Sequence, residues 1–376
     1  MKPHILVTTW FFTHQPGYLD FSYRLRALAS RYRLTVVIGH EGFREEFPGL
    51  EADFLVLPAV ASTSGLLRYL MELAALSRRL KPDLVIMLGS QMAILSLLMP
   101  GMRTLTYWNE HPSHFYDLDH RNPLKRAFNR LLYRLSYLAA RHTTRVMPIG
   151  QAHADDLREN AVPEQCLRLI PMGVADAFLA ARKVDRSKAK RGVSVVYAGS
   201  VVEDRGRDVM IDGLKLARDA GIDVHLTLIG AHPPEKRYCS ERAEALGLTD
   251  CLTVIGRIPG SEIPARLGEH DAGICIWADR PWWRFNPPTK LFEYLVAGLP
   301  VLASRIRTHT DYLRDGETGL IFDYDAASFA EALARLAADP AQRKRMKQQA
   351  AAEGKQYLWR DIEPVFIDCV ETVLHG

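Results

Sequence analysis

Short apolar runs alternating with amphipathic stretches, from one end of the chain to the other, constrain this fold more than any other feature. In the first half the runs are Ile5–Thr8, Thr35–Ile38, Phe54–Leu57, Leu84–Leu88, Thr104–Tyr107 and Thr144–Pro148. Most are apolar at odd and even positions alike, which strands require when helices cover both faces of a parallel sheet. Helical patterns such as Tyr18–Ser30 and Leu66–Arg79 separate them. After Ile170-Pro-Met-Gly-Val174 the residues turn polar and basic without a strong period, and then the alternation restarts. The second set is Val193–Ala198, Val224–Ile229, Leu252–Ile255, Gly273–Ile276, Pro300–Ala303 and Leu320–Phe322.

Two such arrays predict an α/β protein of two Rossmann-like, doubly wound domains facing across a cleft, with ligands at the carboxyl ends of the strands. A length of 376 residues suits that count. The predicted boundaries are 1–175 for the first domain, 176–192 for a link and 193–360 for the second. A last helix, Asp361–Leu374, follows a break at Trp359-Arg360, and residues 361–376 are expected to cross back to the first domain.

Composition narrows the class. With 48% hydrophobic and 24% charged residues and no low-complexity tract, the chain reads as a soluble globular protein. A net charge of +4 suits an anionic substrate or an acidic membrane surface, and falls far short of a nucleic-acid signature. Five scattered cysteines with no C-x-x-C pair point to reduced thiols in a cytoplasm and away from zinc. One Lys before a short apolar run makes the N-terminus a first strand and not a signal peptide. The uncharged stretch Leu84–Met102 approaches bilayer length. Gly89-Ser90-Gln91 interrupts it and Pro100-Gly101 ends it, so it reads as strand, loop and buried helix.

The strongest chemical signal is Asn286-Pro-Pro-Thr-Lys-Leu-Phe-Glu293 and the residues that follow to Ser304. Two prolines disfavour helix before them and favour one just after. Thr289–Ala297 is then a helix whose first amides and dipole suit a phosphate. Lys290 carries the wrong charge for that end, a cost of a few tenths of a kcal/mol (about 0.3 or more) that a bound anion would offset. Glu293 reads either as a first-turn acid steadying the dipole or as an acceptor for ribose hydroxyls. A second constellation ends the strand Val193–Ala198: Gly199, Ser200, then Glu203-Asp-Arg-Gly206. Gly199 permits close backbone approach. Arg205 can bridge two oxygens of a departing diphosphate, or it is a solvated arginine paired with Glu203 or Asp204.

In this order and spacing the two segments resemble the family 4 retaining glycosyltransferases of the GT-B fold. Pro171-Met-Gly-Val174, Arg205-Gly206, Lys290–Ser304, Gly316-Glu-Thr-Gly-Leu-Ile321 and the terminal helix after Trp359 carry the likeness. It implies a donor site of Gly199, Ser200, Arg205, Pro288, Thr289, Lys290, Leu291 and Glu293. Within it Glu293 takes the ribose, Arg205 the diphosphate and the Thr289–Leu291 amides the distal phosphate, while Arg257-Ile258 falls where the family holds the base. The family often has an acid eight positions before its ribose-binding glutamate, where this chain has Phe285. It often has a basic residue after its first glycine, where this chain has Ser200.

In the first half, Tyr107-Trp-Asn-Glu-His-Pro-Ser-His-Phe115 follows a strand. Family members commonly have a histidine at this strand end. Asn109 falls there, which makes His111 or Glu110 the candidate substitute, beside a core or cap role for either. Asn109, His111 and Gly17, in His14-Gln-Pro-Gly17, form the expected acceptor side. The helix over 122–138 sets Lys125, Arg126, Arg130 and Arg134 among leucines and aromatics, either as an ordinary surface helix or as one lying on an anionic membrane.

The resulting expectation is a retaining glycosyltransferase, hexosyl or N-acetylhexosaminyl in type, serving polysaccharide, glycolipid or glycoconjugate synthesis. Arg205, Lys290, His111 and Glu110 are its catalytic candidates. A UDP- or GDP-sugar is the donor substrate, the acceptor is saccharide or lipid-linked, and no cofactor or metal is required. Asp117-Leu-Asp119 and Asp323-Tyr-Asp325 lack supporting ligands for a metal. The expected location is the cytoplasm, against the inner face of the plasma membrane if the basic helix binds lipid. The alternatives are a nucleotide-sugar 2-epimerase of the same fold and a non-catalytic nucleotide-sugar-binding protein. No G-x-G-x-x-G or P-loop motif occurs, which counts against a dinucleotide oxidoreductase and a P-loop NTPase.

Overall fold

The structure, a computed structural model, describes residues 2–10, 18–58, 63–183 and 192–376. The chain divides into two compact units, Met1–Gly173 with Asp361–Gly376, and Val174–Arg360.

The first unit holds strands β1 (His4–Thr8), β2 (Arg33–Ile38), β3 (Asp53–Val56), β4 (Leu84–Leu88), β5 (Thr104–Trp108) and β6 (Arg145–Pro148). They form one parallel sheet in the order β3-β2-β1-β4-β5-β6. Helices α1 (Tyr18–Arg31), α2 (Thr63–Leu80), α3 (Pro123–His142) and α4 (Gln151–Glu159) supply crossovers, and α12 (Trp359–His375) closes the unit. Apart from the edge strand β3, the strand interiors are buried on both faces, and Leu6, Val85 and Met87 pack with Leu66, Leu70 and Leu73 of α2. The uncharged stretch after β4 is a 3-10 segment, Ser90–Leu98, buried from Ser90 to Ser96. Among the described residues, no helix is long and apolar enough to cross a membrane.

The second unit repeats the plan with β7 (Val193–Ala198), β8 (Val224–Ala231), β9 (Leu252–Gly256), β10 (Ala272–Cys275), β11 (Val301–Ser304) and β12 (Gly319–Phe322). Its order, β12-β11-β10-β7-β8-β9, is the first sheet's order read from the other edge. Around it lie α5 (Arg207–Asp219), α6 (Pro233–Ala245), α7 (Ile263–Gly268), α8 (Thr289–Ala297), α9 (Arg307–Thr310), α10 (Ala326–Ala338) and α11 (Pro340–Glu353). The chain reverses direction between β7 and β10, and such a switch point opens a crevice at the strands' carboxyl ends.

Two sequence boundaries shift. Asp176–Lys183, read as part of a polar link, is a 3-10 segment of the second unit, and the Arg182 guanidinium donates to the Val296 carbonyl at the end of α8 (2.7 Å). The break expected at Trp359-Arg360 is instead the first turn of α12.

Candidate functional site

The switch point of the second unit is built by packing. At Gly273 on β10 a Cβ would lie 2.4 Å from the Tyr294 ring, so glycine is what lets α8 settle onto the sheet. From there the Tyr294 hydroxyl accepts from the Ala198 amide at 2.9 Å, tying α8 to the end of β7. Tyr294, Leu291, Phe292 and Leu295 are all fully buried. Burying such side chains contributes about 1.5–3 kcal/mol each, enough to hold the helix N-terminus in one place.

That N-terminus has Pro288 as its cap, whose side chain makes no capping hydrogen bond. The Leu291 amide donates to the Pro288 carbonyl at 3.0 Å, a 3-10 closure of the first turn. This corrects the expectation that all three amides from Thr289 to Leu291 face a phosphate. Lys290 turns towards β7: its Nζ sits 3.7 Å from the centroid of the Tyr197 ring. Gly199 has φ +146, and a Cβ there would meet Lys290 Nζ at 2.5 Å. Glycine is needed both for that backbone angle and for the approach of the ammonium. The Tyr197 hydroxyl donates to the Ser200 carbonyl at 3.0 Å, which fixes the turn that follows.

One turn into α8, Glu293 is half-buried, and among the described residues no group donates a hydrogen bond to its carboxylate. Burial pushes its pKa up to about 7, against the opposing pull of Lys290. A first-turn acid that merely steadied the dipole would stay exposed and ionised. Glu293 has no protein donor among the described residues, so hydroxyl groups of a ligand could take the place of solvent at its carboxylate.

Arg205 ends the 3-10 turn Glu203–Arg205. Neither neighbouring acid pairs with it: Asp204 takes Arg280, with Nη2 to Oδ1 at 2.5 Å. Its guanidinium carbon lies 5.0 Å from the ring centroids of both Trp277 and Trp283. Lys290 and Arg205 thus stand in the loops and helix that flank β7 and β10, with Glu293 further along α8. Arg257 lines a cavity of about 580 Å³ with Gly256 at the end of β9 and with His232, Pro233 and Lys236 at the start of α6. Ile258 is half-buried beside it.

In the first unit, His111 is 4% exposed and bonded at both ring nitrogens. Nδ1 meets Ser113 Oγ at 2.6 Å, and Nε2 meets the Tyr137 hydroxyl at 3.1 Å. That hydroxyl donates to Asp156 at 2.7 Å. His111 therefore caps the short turn Pro112–His114 and anchors it to α3 and α4, the core-and-cap reading of this histidine. Glu110 and Asn109 are half-buried, and the Asn109 Oδ1 is enclosed without a hydrogen-bond partner. Gly17 lies outside the described residues.

Other candidates resolve into structure. Asp117 accepts from the Asp119 amide, Asp325 caps α10, and Asp323 pairs with Arg305. Burial pushes the Cys275 thiol up to about 12, so it is no nucleophile. Sequence reasoning missed Tyr197, Tyr294, Trp277 and Trp283, whose signal was only the aromatic character of residues beside β7 and β10.

Comparison with known proteins agrees with this layout. Residues 181–353 match the family model described as Glycosyl transferases group 1, and residues 22–173 match that described as Glycosyl transferase 4-like domain. The phosphatidyl-myo-inositol mannosyltransferase of Mycobacterium leprae is 27% identical over 206 residues, 54% of this chain and 53% of that one. The D-inositol 3-phosphate glycosyltransferase of an Arthrobacter strain is 27% identical over 184 residues, 46% of this chain and 42% of that one. The chain spans about half the length of the curated relatives it matches. In fold, Anabaena HepE in complex with UDP matches 98% of this chain and 100% of its own, with TM-score 0.77 and 14% identity.

Proposed function

We propose that the chain is a glycosyltransferase of the GT-B fold that moves a sugar from a UDP- or GDP-sugar to an acceptor hydroxyl with retention at the anomeric carbon. The observation that carries this reading is the α8 terminus: a helix start capped by a proline, an ammonium on its first turn set over Tyr197, and a carboxylate one turn on with no protein donor among the described residues. A nucleoside diphosphate has the two things such a site lacks, an anion for the first turn and a ribose diol for Glu293.

In the reaction, the bond between the anomeric carbon and the diphosphate oxygen breaks while the acceptor oxygen bonds to the same carbon on the same face. The acceptor proton passes to the departing phosphate oxygen. Charge grows on the leaving diphosphate as this happens. Lys290 and the α8 terminus are the groups to stabilise it, joined by Arg205.

The family 4 resemblance, the hexosyl or N-acetylhexosaminyl type and a role in polysaccharide or glycoconjugate synthesis belong to this proposal. So does an acceptor that is saccharide or lipid-linked. The α3 surface supports lipid contact. The helix has no acid, and Leu124, Leu131 and Leu138 are exposed on it beside Lys125, Arg126, Arg130 and Arg134, none of which forms an ion pair among the described residues.

The test is direct. Nucleoside diphosphates and their sugar conjugates should raise the melting temperature of the purified protein, and the stabilising sugar nucleotide should then support transfer to an acceptor. Arg205→Ala is expected to lower turnover about hundredfold while weakening donor binding much less. Unchanged turnover in that variant would remove Arg205 from the mechanism. Sugar inversion at C2 without any acceptor would identify an epimerase instead.

A further inference from the structure

Arg205 differs from the other arginines around it in what holds it. Arg280 is held by Asp204, Arg284 by Asp279 and Arg207 by Asp208 and Glu235. Arg205 has no carboxylate among the described residues, and its guanidinium rests against two indoles that stack at 5.5 Å and 24°. Those indoles are themselves fixed. The Trp277 amide donates to Ser304 Oγ at 2.8 Å, and the same hydroxyl donates back to the Trp277 carbonyl at 2.8 Å. Thr308 Oγ1 donates to the Trp283 carbonyl at 2.6 Å, and each ring is 7% exposed. Asp204, the nearest acid in sequence, is kept occupied by Arg280, whose guanidinium carbon also lies 5.0 Å from the Trp283 centroid.

We propose that Trp277 and Trp283 are positioning residues: they aim Arg205 at the end of β7 while leaving its charge unspent, so that it reads the terminal phosphate of a nucleoside diphosphate. The inference rests on the donor reading above and adds the device that orients one of its groups. A carboxylate would orient an arginine equally well, but it would neutralise the charge a leaving diphosphate needs. An indole face orients a guanidinium through its quadrupole and leaves all five donors of the fork available. Arg280 completes the device by holding Asp204 away.

The experiment is a binding series on the full chain with UDP, UMP, GDP and GMP, since a diphosphate differs from its monophosphate by the phosphate in question. The wild type should bind the diphosphate of its preferred base at least about tenfold more tightly than the monophosphate. Trp277→Leu and Trp283→Leu should shrink that ratio several-fold with monophosphate affinity unchanged, and Trp→Phe at either position should restore most of it. Trp283→Leu added to Arg205→Ala should change nothing further. If the leucine variants do not fold, Arg280→Met, at a half-buried position, serves in their place: Asp204, released, should pair with Arg205 and shrink the same ratio.

Variants that keep the wild-type ratio overturn the proposal, as do variants that lose monophosphate and diphosphate affinity alike. A loss that persists in the Arg205→Ala background does so too. A wild type that binds neither diphosphate overturns the donor reading itself, an outcome visible before any variant is made.

Discussion

Glu293 shows how a single position converts burial into ligand chemistry. Its pKa of about 7 comes from desolvation, so the free protein keeps the carboxyl partly protonated near neutrality. A carboxyl raised from its ordinary 4.5 stabilises the folded chain most below pH 4.5, and that contribution is lost as pH rises through about 7. On the proposed donor reading, ribose hydroxyls would donate to the ionised form, so nucleotide binding should release a proton. Affinity for the diphosphate, measured by calorimetry from pH 6 to pH 8, is expected to rise across that window in the wild type and stay flat in Glu293→Gln. Gly199 makes a second prediction at this scale. An alanine there must leave φ +146 or push Lys290 Nζ from its place over Tyr197. Backbone strain of that kind costs about 1–3 kcal/mol. Gly199→Ala should therefore lose at least about tenfold in kcat/KM, while Gly221→Ala, a positive-φ glycine with open space around it, should cost stability only.

At the scale of the element, α8 and α3 are helices of opposite design. Four consecutive residues of α8, Tyr294–Ala297, are buried, so its terminus is held by the sheet beneath it. The sequence marked both ends of α8 correctly because proline placement and the Gly298-Leu-Pro300 stop are local signals. α3 leaves one side outward, with Leu124 at 80% exposure. Each cation near an anionic membrane contributes about 1 kcal/mol. Replacing Lys125, Arg126, Arg130 and Arg134 together by glutamine should thus weaken binding to phosphatidylserine vesicles by about a hundredfold or more, with donor binding unaffected. Cosedimentation in low and high salt checks it, and equal binding by both proteins would leave α3 an ordinary surface helix.

The whole molecule places its C-terminal helix in the first unit, although α12 follows the second unit in sequence. Phe366, Val370 and Val373 are buried, Arg31 pairs with Glu363 at 3.0 Å, and buried Arg24 lies 5.0 Å from the Phe366 ring. A chain ending at residue 360 should consequently lose stability in residues 1–173 alone. Calorimetry should show one transition shifted down by several degrees, with the nucleotide-dependent transition of residues 174–360 unmoved. Hydrogen exchange localised to β1 and α1 would confirm which unit had loosened.

What the sequence determined by itself was everything with a local cause. All twelve strands were legible because most strands of a parallel sheet covered on both faces are apolar at odd and even positions alike, and no strand end shifted by more than two residues. The start of α8 was legible from two prolines. The tertiary structure decided which of several partners a polar group takes, a choice that depends on elements far apart in the chain. His111 read equally as a reagent or as a core or cap residue, and only the fold brings Tyr137 and Asp156 against it from α3 and α4. Asp204 looked like a partner for Arg205 until Arg280, 76 residues on, claimed it. Trp277 and Trp283 gave no motif at all. Their meaning lies in where β7 and β10 meet, and adjacency of that kind arises only when the sheet forms.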